Sequence, residues 1–216
     1  MFKVIQMRVI SIVNQKGGVG KSTITINLAR AIQLDGASVA VIDCDPQGTT
    51  TDWGALNSVK GEFFPVHHYH IRDLPKRLVE FKDYDCVLID GAPRLEELSV
   101  AIIKVSDVIL IPLTPSPNDI WASISFVDLV IERLKVKPDL KALFLVNRQK
   151  PNTSAIKEAR DALEKIGIPV LENGINDRIA YAKTIGKGIT VFEDAGKASK
   201  EIKLIAKEIL KVINDE

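Results

Sequence analysis

The run Asn14-Gln15-Lys16-Gly17-Gly18-Val19-Gly20-Lys21-Ser22-Thr23 gathers three glycines, two lysines and two adjacent hydroxyls into one short segment. Glycines let the main chain curl until consecutive N–H groups converge on one anion. A helix starting directly behind them adds its partial positive charge. In such a cradle Lys21 is placed to neutralise the β- and γ-phosphates of a nucleotide, and the Ser22 hydroxyl to ligate Mg²⁺. A passive strand-to-helix turn needs one or two glycines and neither lysine. The pattern departs from G-x-x-x-x-G-K-[ST] at its first position, where Gln15 replaces glycine, and Lys16 adds a cation beside it.

Carboxylates at two further places could serve the same chemistry. Asp90 follows Cys86-Val87-Leu88-Ile89, an apolar run that ends on an acid and suits a Walker B-type carboxylate holding Mg²⁺ directly or through water. Gly91 behind it leaves the main chain free to approach a γ-phosphate. In Asp43-Cys44-Asp45-Pro46-Gln47-Gly48, the last four residues, Asp45-Pro46-Gln47-Gly48, read as a type I turn, with Pro second and Gly fourth. Asp43 either supports the metal shell or simply ends its strand, and the residues alone leave both open.

These groups need a frame, and the chain supplies an α/β one. Short β-branched runs alternate with segments of helical period, the pattern of βαβ units around a buried parallel sheet. The strands expected are Arg8 to Asn14, Ser38 to Asp43, Cys86 to Asp90, Val108 to Leu113 and Ala142 to Asn147, with weaker ones at Phe63 to His70 and Pro169 to Leu171. A helix from Lys21 to Leu34 stops at Asp35-Gly36, and one from Thr153 to Ile166 stops at Gly167. Ser116-Pro117-Asn118-Asp119 opens another, with Ser116 as cap, Pro117 in the first turn and Asp119 at the positive end of the dipole. No repeat or long linker interrupts the pattern, so residues 1–216 read as a single doubly wound domain, mostly parallel and flanked by helices.

Composition narrows the partners. A formal net charge of +1 excludes a surface that is basic throughout, so any nucleic-acid site must be local. No apolar run approaches the roughly 20 residues of a membrane span, and the N-terminus lacks the pattern of a signal peptide, so a cytoplasmic protein is expected. Cys44 and Cys86 lie in apolar strands without metal-ligand spacing and read as inert buried thiols. His67-His68-Tyr69-His70 puts only two imidazoles on one strand face, too few for zinc, and reads as a polar strand or edge. In the segment from Gly196 to Ile213, Ile202, Ile205, Ile209, Val212 and Ile213 recur at helical spacing. With no aromatic anchors there, the apolar face is expected to pack on the core rather than lie on a membrane.

The phosphate loop, Asp43-Cys44-Asp45-Pro46-Gln47-Gly48, Val87-Leu88-Ile89-Asp90-Gly91-Ala92-Pro93 and Ile111-Pro112-Leu113-Thr114-Pro115-Ser116-Pro117 stand in this order, each at a strand end. With them the chain resembles the deviant Walker A ATPases of the ParA/MinD group, most closely the short ParA partition proteins, over nearly its whole length from Met7. The resemblance implies the P-loop NTPase fold, ATP with Mg²⁺, slow hydrolysis to ADP and phosphate, and a homodimer that sandwiches nucleotide. By the same resemblance Lys16 crosses to the partner subunit's nucleotide, Asp45 orients the attacking water, and Asn147 reads the adenine, with Gly17 through Thr23 around the phosphates. An aspartate of ordinary pKa near ~4 orients water better than it abstracts a proton.

The resemblance also implies non-specific DNA binding by the ATP dimer, nucleoid association in that state, and release stimulated by a centromere-binding adaptor. Arg178 matches an arginine of the family, and Lys183 and Lys187 follow with no acid before Phe192, making a phosphate-contacting patch. Only six residues precede Met7, too few for the operator-binding helix-turn-helix of longer relatives, so autorepression is not expected. A MinD-like membrane role and the positioning of a protein cargo on the nucleoid are the alternatives. An iron-sulfur role is disfavoured because Cys86 sits inside its strand.

Overall fold

Apolar strands covered on both faces form the middle of the molecule. The computed structural model describes residues 7–58, 63–92, 96–194 and 196–214. The stretch 1–6, Pro93 of the third motif and the terminal Asp215-Glu216 lie outside the described residues. Six strands, β1 (Arg8–Ile12), β2 (Val39–Asp43), β3 (Val66–His68), β4 (Cys86–Asp90), β5 (Val108–Leu113) and β6 (Lys141–Val146), form one parallel sheet in the order β3-β2-β4-β1-β5-β6.

Because side chains alternate along a strand, the sheet feeds two cores. Ile10, Val41, Leu88, Leu110 and Leu145 point to one face, where α1 (Lys21–Leu34) and α8 (Lys197–Ile213) cover them. Val9, Ile42, Val87, Ile111 and Phe144 point to the other, against α4 (Glu96–Val105), α5 (Pro117–Val136) and α6 (Ser154–Glu164). The remaining helices are α2 (Thr49–Ser58), α3 (Leu74–Arg77) and α7 (Ile179–Ile185). The architecture is the single-domain, doubly wound P-loop fold expected, and β4 lies beside β1 with Asp90 in register with Ile12.

Helix α1 has the expected bounds, and Gly36 and Gly167 take the left-handed conformation that ends a helix. Two strands shrink. The run Phe63 to His70 keeps only β3, because Phe63 and Phe64 turn inward onto the Trp53 ring at 5.7 and 5.5 Å instead of joining the ladder. Pro169 to Leu171 makes a single bridge, Val170 to Phe144. Ser116 occupies the N-cap of α5 with extended dihedrals, but its hydroxyl makes no capping bond. Its carbonyl instead accepts from Asp119 and Ile120 at 3.0 and 3.1 Å.

The apolar face of α8 is spent in the core: Ile202, Ile205 and Ile209 are each 1% exposed. No helix among the described residues is long and apolar enough to cross a membrane. The histidine cluster lies on the sheet edge, where the His67 ring sits 5.0 Å from Phe81, and no metal-binding group of three ligands occurs among the described residues. Cys44 and Cys86 are both buried, and burial pushes their thiols far above the ordinary range.

Candidate functional site

Three strands end together at the carboxyl edge of the sheet. Asp43 on β2 is in register with Asp90 on β4, and Asp90 with Ile12 on β1, immediately before the glycine loop. Open parallel sheets bind ligands at this edge, where the strand order reverses.

The loop is held from behind by Asn14, a buried residue that motif reading passes over. Its amide nitrogen donates to the Pro112 carbonyl at 2.8 Å and to the Ser123 hydroxyl at 3.0 Å, and its Oδ1 accepts the Lys16 N–H at 2.9 Å. Val19 and Lys21 are buried, and Gly17 and Gly18 are exposed. Gly20 has φ 93°, and a β-carbon there would stand 2.4 Å from Asn147 Nδ2. Asn147 in turn donates to the Val19 carbonyl at 2.7 Å and accepts the Arg148 N–H at 2.8 Å. The asparagine expected to read adenine thus also fixes the loop's exit.

Lys21 is 6% exposed and its Nζ lies 3.1 Å from the Lys16 carbonyl oxygen. Burial lowers its pKa, while Asp90 and Asp45 pull it back up. Lys16 is different in kind. Its side chain is 44% exposed, and its ammonium lies 3.7 Å from Asp119 on α5, outside its own loop. Asp119 itself accepts from the Thr114 hydroxyl at 2.6 Å, so the residue expected to serve the helix dipole also tethers the β5–α5 loop.

Asp90 is fully buried. Its Oδ2 accepts the Thr50 hydroxyl at 2.7 Å, while Oδ1 has no hydrogen bond of acceptable geometry. Burial pushes its pKa up to about 7, against the Thr50 and Ser22 hydroxyls and Lys21, which lower it; nearby Asp43 raises it further. A buried carboxylate oxygen with nothing to accept is costly unless a cation or donor completes it. Together with the neighbouring Ser22 hydroxyl, that oxygen fits Mg²⁺, a hard cation that takes one or two protein oxygens and keeps its other positions for water and phosphate. The ion, when bound, would neutralise phosphate charge.

Asp43 is hydrogen-bonded within the chain through both of its oxygens. Its Oδ1 accepts the Asp45 N–H at 3.0 Å, and its Oδ2 accepts both the N–H and the hydroxyl of Thr51 at 2.8 Å. Those bonds shape the turn that presents Asp45, which is 9% exposed. The turn closes as the sequence suggests, with Gly48 N–H donating to the Asp45 carbonyl at 2.9 Å and Gln47 N–H to Asp45 Oδ1 at 3.0 Å. Gly91 has a packing reason: a β-carbon there would press within 3.1 Å of the Ile12 carbonyl.

Two clefts adjoin the loop. One of about 150 Å³ is lined by Gly20, Thr23, Asn147, Asp177 and Tyr181, and an open one of about 560 Å³ by Gly17, Gly18, Thr114, Pro115 and Asp119. Arg148 lines both, from a left-handed backbone position of φ 52° that is uncommon for a residue with a side chain. No motif marks Arg148 or Asp177.

Arg178 caps α7 and lines the smaller cleft, but its guanidinium is engaged: Nε and Nη2 donate to Glu201 of α8 at 2.9 and 2.6 Å. The same glutamate accepts the Tyr181 hydroxyl at 3.1 Å and both nitrogens of Asn176. The stretch from 178 to 192 contains no acid, yet one arrives from a helix 23 residues away. Lys183 and Lys187 are exposed.

A glycine loop curled between a parallel strand and a helix, a buried lysine within it and a metal-competent carboxylate on the adjacent strand define a P-loop nucleotide-binding protein. The model of the CobQ/CobB/MinD/ParA nucleotide binding domain matches residues 10–191, and the chain belongs to that family. It is 28% identical over 208 residues to maintenance of carboxysome distribution protein A of Halothiobacillus neapolitanus, covering 93% of this chain and 95% of that one. It is 26% identical to the chromosome-partitioning ATPase Soj of Thermus thermophilus, covering 95% and 96%. The septum site-determining protein MinD of Pyrococcus horikoshii, solved with Mg-ADP, shares the fold at a TM-score of 0.73 and 21% identity, over 95% of this chain and 97% of its own.

Proposed function

We propose that the chain is a switch ATPase that positions a cargo on DNA: Mg-ATP closes a homodimer, the dimer binds DNA without reading sequence, and an adaptor on the cargo stimulates hydrolysis and release. The observation that carries the reading is the division of labour between two lysines. Lys21 is buried within its own loop, whereas Lys16 reaches the surface beside Asp119. A cation at that surface is placed to serve a nucleotide presented by a facing subunit. In this reading Lys21 and Ser22 hold phosphate and metal, Asp90 completes the metal shell, Asp45 orients the water, and Asn147 borders the adenine in the smaller cleft. Lys183 and Lys187 contribute phosphate contacts, with Arg178 at their base.

Plasmid or chromosome segregation, with a centromere-bound adaptor, suits the likeness to the chromosome-partitioning ATPase. A protein assembly carried on the nucleoid suits the likeness to the carboxysome distribution protein. Membrane attachment through α8 is disfavoured because its apolar face is already packed.

The test compares two variants by light scattering with Mg-ATP. Asp45→Ala should bind ATP and accumulate as a dimer because hydrolysis is blocked; Lys21→Ala should stay monomeric. Equal dimerisation of the two would overturn the roles assigned to them.

A further inference from the structure

Trp121 stands 67% exposed near the start of α5, and Ile124, one turn further on, is 44% exposed. An indole carries more apolar area than any other side chain, and the core gains little from one left in water. Beside it lies a hollow of about 110 Å³, walled by Pro115, Pro117 and Ile120 on one side and by Ala155, Ala159 and Ala162 of α6 on the other. Trp121 stands at the rim of this hollow in its own chain. Pro115 and Ala155 also line the open cleft beside the glycine loop, so hollow and cleft form one continuous surface. Among the described residues, the charged groups lining that surface are Arg148 and Lys150 against Asp119, Asp177 and Glu158, and Lys16 meets Asp119 at 3.7 Å.

We infer that this surface packs against the same surface of a second copy, with the indole of each chain seated in the hollow of the other. The inference rests on the homodimer proposed above and names a contact that secures it beyond the nucleotides. A two-fold contact must be self-complementary, and here a protruding ring and an apolar hollow stand side by side. Charge permits the same pairing: three cations and three carboxylates leave the surface without net charge, so two copies meet without general repulsion. The open cleft is the edge where Lys16 would meet a facing nucleotide, so closure there brings the two Trp121 surfaces together. Tryptophan is also among the residues that most often anchor an interface, seated in a pocket of the partner. An anionic lipid surface would find no cation on α5 before Arg133.

The chain has two tryptophans, and Trp53 is 1% exposed, so quenching of intrinsic fluorescence by acrylamide reports on Trp121. It is measured with Mg²⁺ and either ADP or a non-hydrolysable ATP analogue, on samples whose dimerisation is followed by analytical ultracentrifugation. Quenching should be strong in the monomer and fall, in the dimer, towards that of Trp121→Phe, in which only Trp53 emits. Trp121→Ala should weaken dimerisation with the analogue at least about thirtyfold, the loss of one strong anchor. Ala162→Leu leaves the indole in place but fills the hollow with a good helix former, and should weaken it as well. Binding of a fluorescent ADP analogue and the circular dichroism should be unchanged in both variants, since neither residue lines the clefts at the glycine loop. Dimerisation of either variant at wild-type affinity would overturn the placement and leave the homodimer standing. A wild-type dimer whose Trp121 stays as open to acrylamide as the monomer's would do the same and hand the face to a different protein partner. A wild type that stays monomeric with the analogue would sink the homodimer and this surface together.

Discussion

Asp90 makes the fold's stability depend on pH in a direction unusual for a carboxylate. Its pKa in the folded protein is pushed up to about 7, chiefly by burial, against about 3.9 in an unfolded chain. Between those values the folded state holds a proton that the unfolded state has released. The stabilising contribution is therefore complete below about pH 4 and is lost as pH rises through about 7. A gap of about 3 pKa units at about 1.4 kcal/mol each sets its full size at no more than about 4 kcal/mol. Asp90→Asn keeps the shape and the acceptor for Thr50 but has no proton to lose. Urea denaturation of nucleotide-free protein at several pH values from 5 to 8 should show the wild type falling relative to Asp90→Asn by a few kcal/mol. Lys21 is coupled to the same carboxylate, so the step belongs to the pair. Adding Mg²⁺ and ADP should flatten the wild-type curve by giving the ionised carboxylate a cation, with no such effect in Asp90→Asn. Parallel curves for the two proteins without nucleotide would refute the argument.

Thr50→Val removes the hydroxyl that holds Asp90 Oδ2 at 2.7 Å. A hydrogen bond to a charged group contributes about 1.5–3 kcal/mol, so calorimetric titration of Mg²⁺ into protein with ADP should show affinity reduced about tenfold to a hundredfold, and Thr50→Ser should restore it. Gly20→Ala puts a β-carbon 2.4 Å from Asn147 Nδ2 at a φ of 93°, so binding of a fluorescent ADP analogue should fall at least about a hundredfold while circular dichroism still reports a folded chain. Glu201→Ala takes the shared acceptor from Arg178, Asn176 and Tyr181 together, and the urea midpoint should correspond to a loss of about 2–4 kcal/mol. A loss below about 1 kcal/mol would show that water replaces the glutamate at little cost.

The parts legible in the sequence are those written in local pattern. Strands Cys86–Asp90 and Val108–Leu113 are readable end to end because both faces are buried, giving unbroken apolar runs. Helix α1 is readable because glycines punctuate both ends. What escapes is polar and long-range. Thr50 meets Asp90 across 40 residues, Asn14 meets Ser123 across 109, and Glu201 reaches back 23 to Arg178. No periodicity links such partners, since each bond depends on how strands and helices assemble. The shortening at Phe63 to His70 has a similar origin: a run suited to a strand is drawn away by the Trp53 ring.

On the reading proposed above, the placement of charge gives nucleotide a way to act as a switch and not as a passive occupant. Lys21, Asp43, Asp45 and Asp90 are all at most 9% exposed around one sheet edge, where charges without partners are costly. Asp43 is satisfied by the chain itself, but Asp90 Oδ1 is not, so part of the site's cost is relieved only by what it binds. Ligand affinity and fold stability are then linked, and occupancy stabilises the strand ends through RT ln(1 + [L]/Kd). Those ends hold the Asp45 turn directly, through Asp43 and Thr51, and Thr50 ties the same helix to Asp90. On that reading, a rearrangement at the phosphate would reach the Asp45 turn and the start of α2 through these bonds. Lys16 stands outside this enclosure, with its side chain 44% exposed and its ammonium 3.7 Å from Asp119, which lines the open cleft.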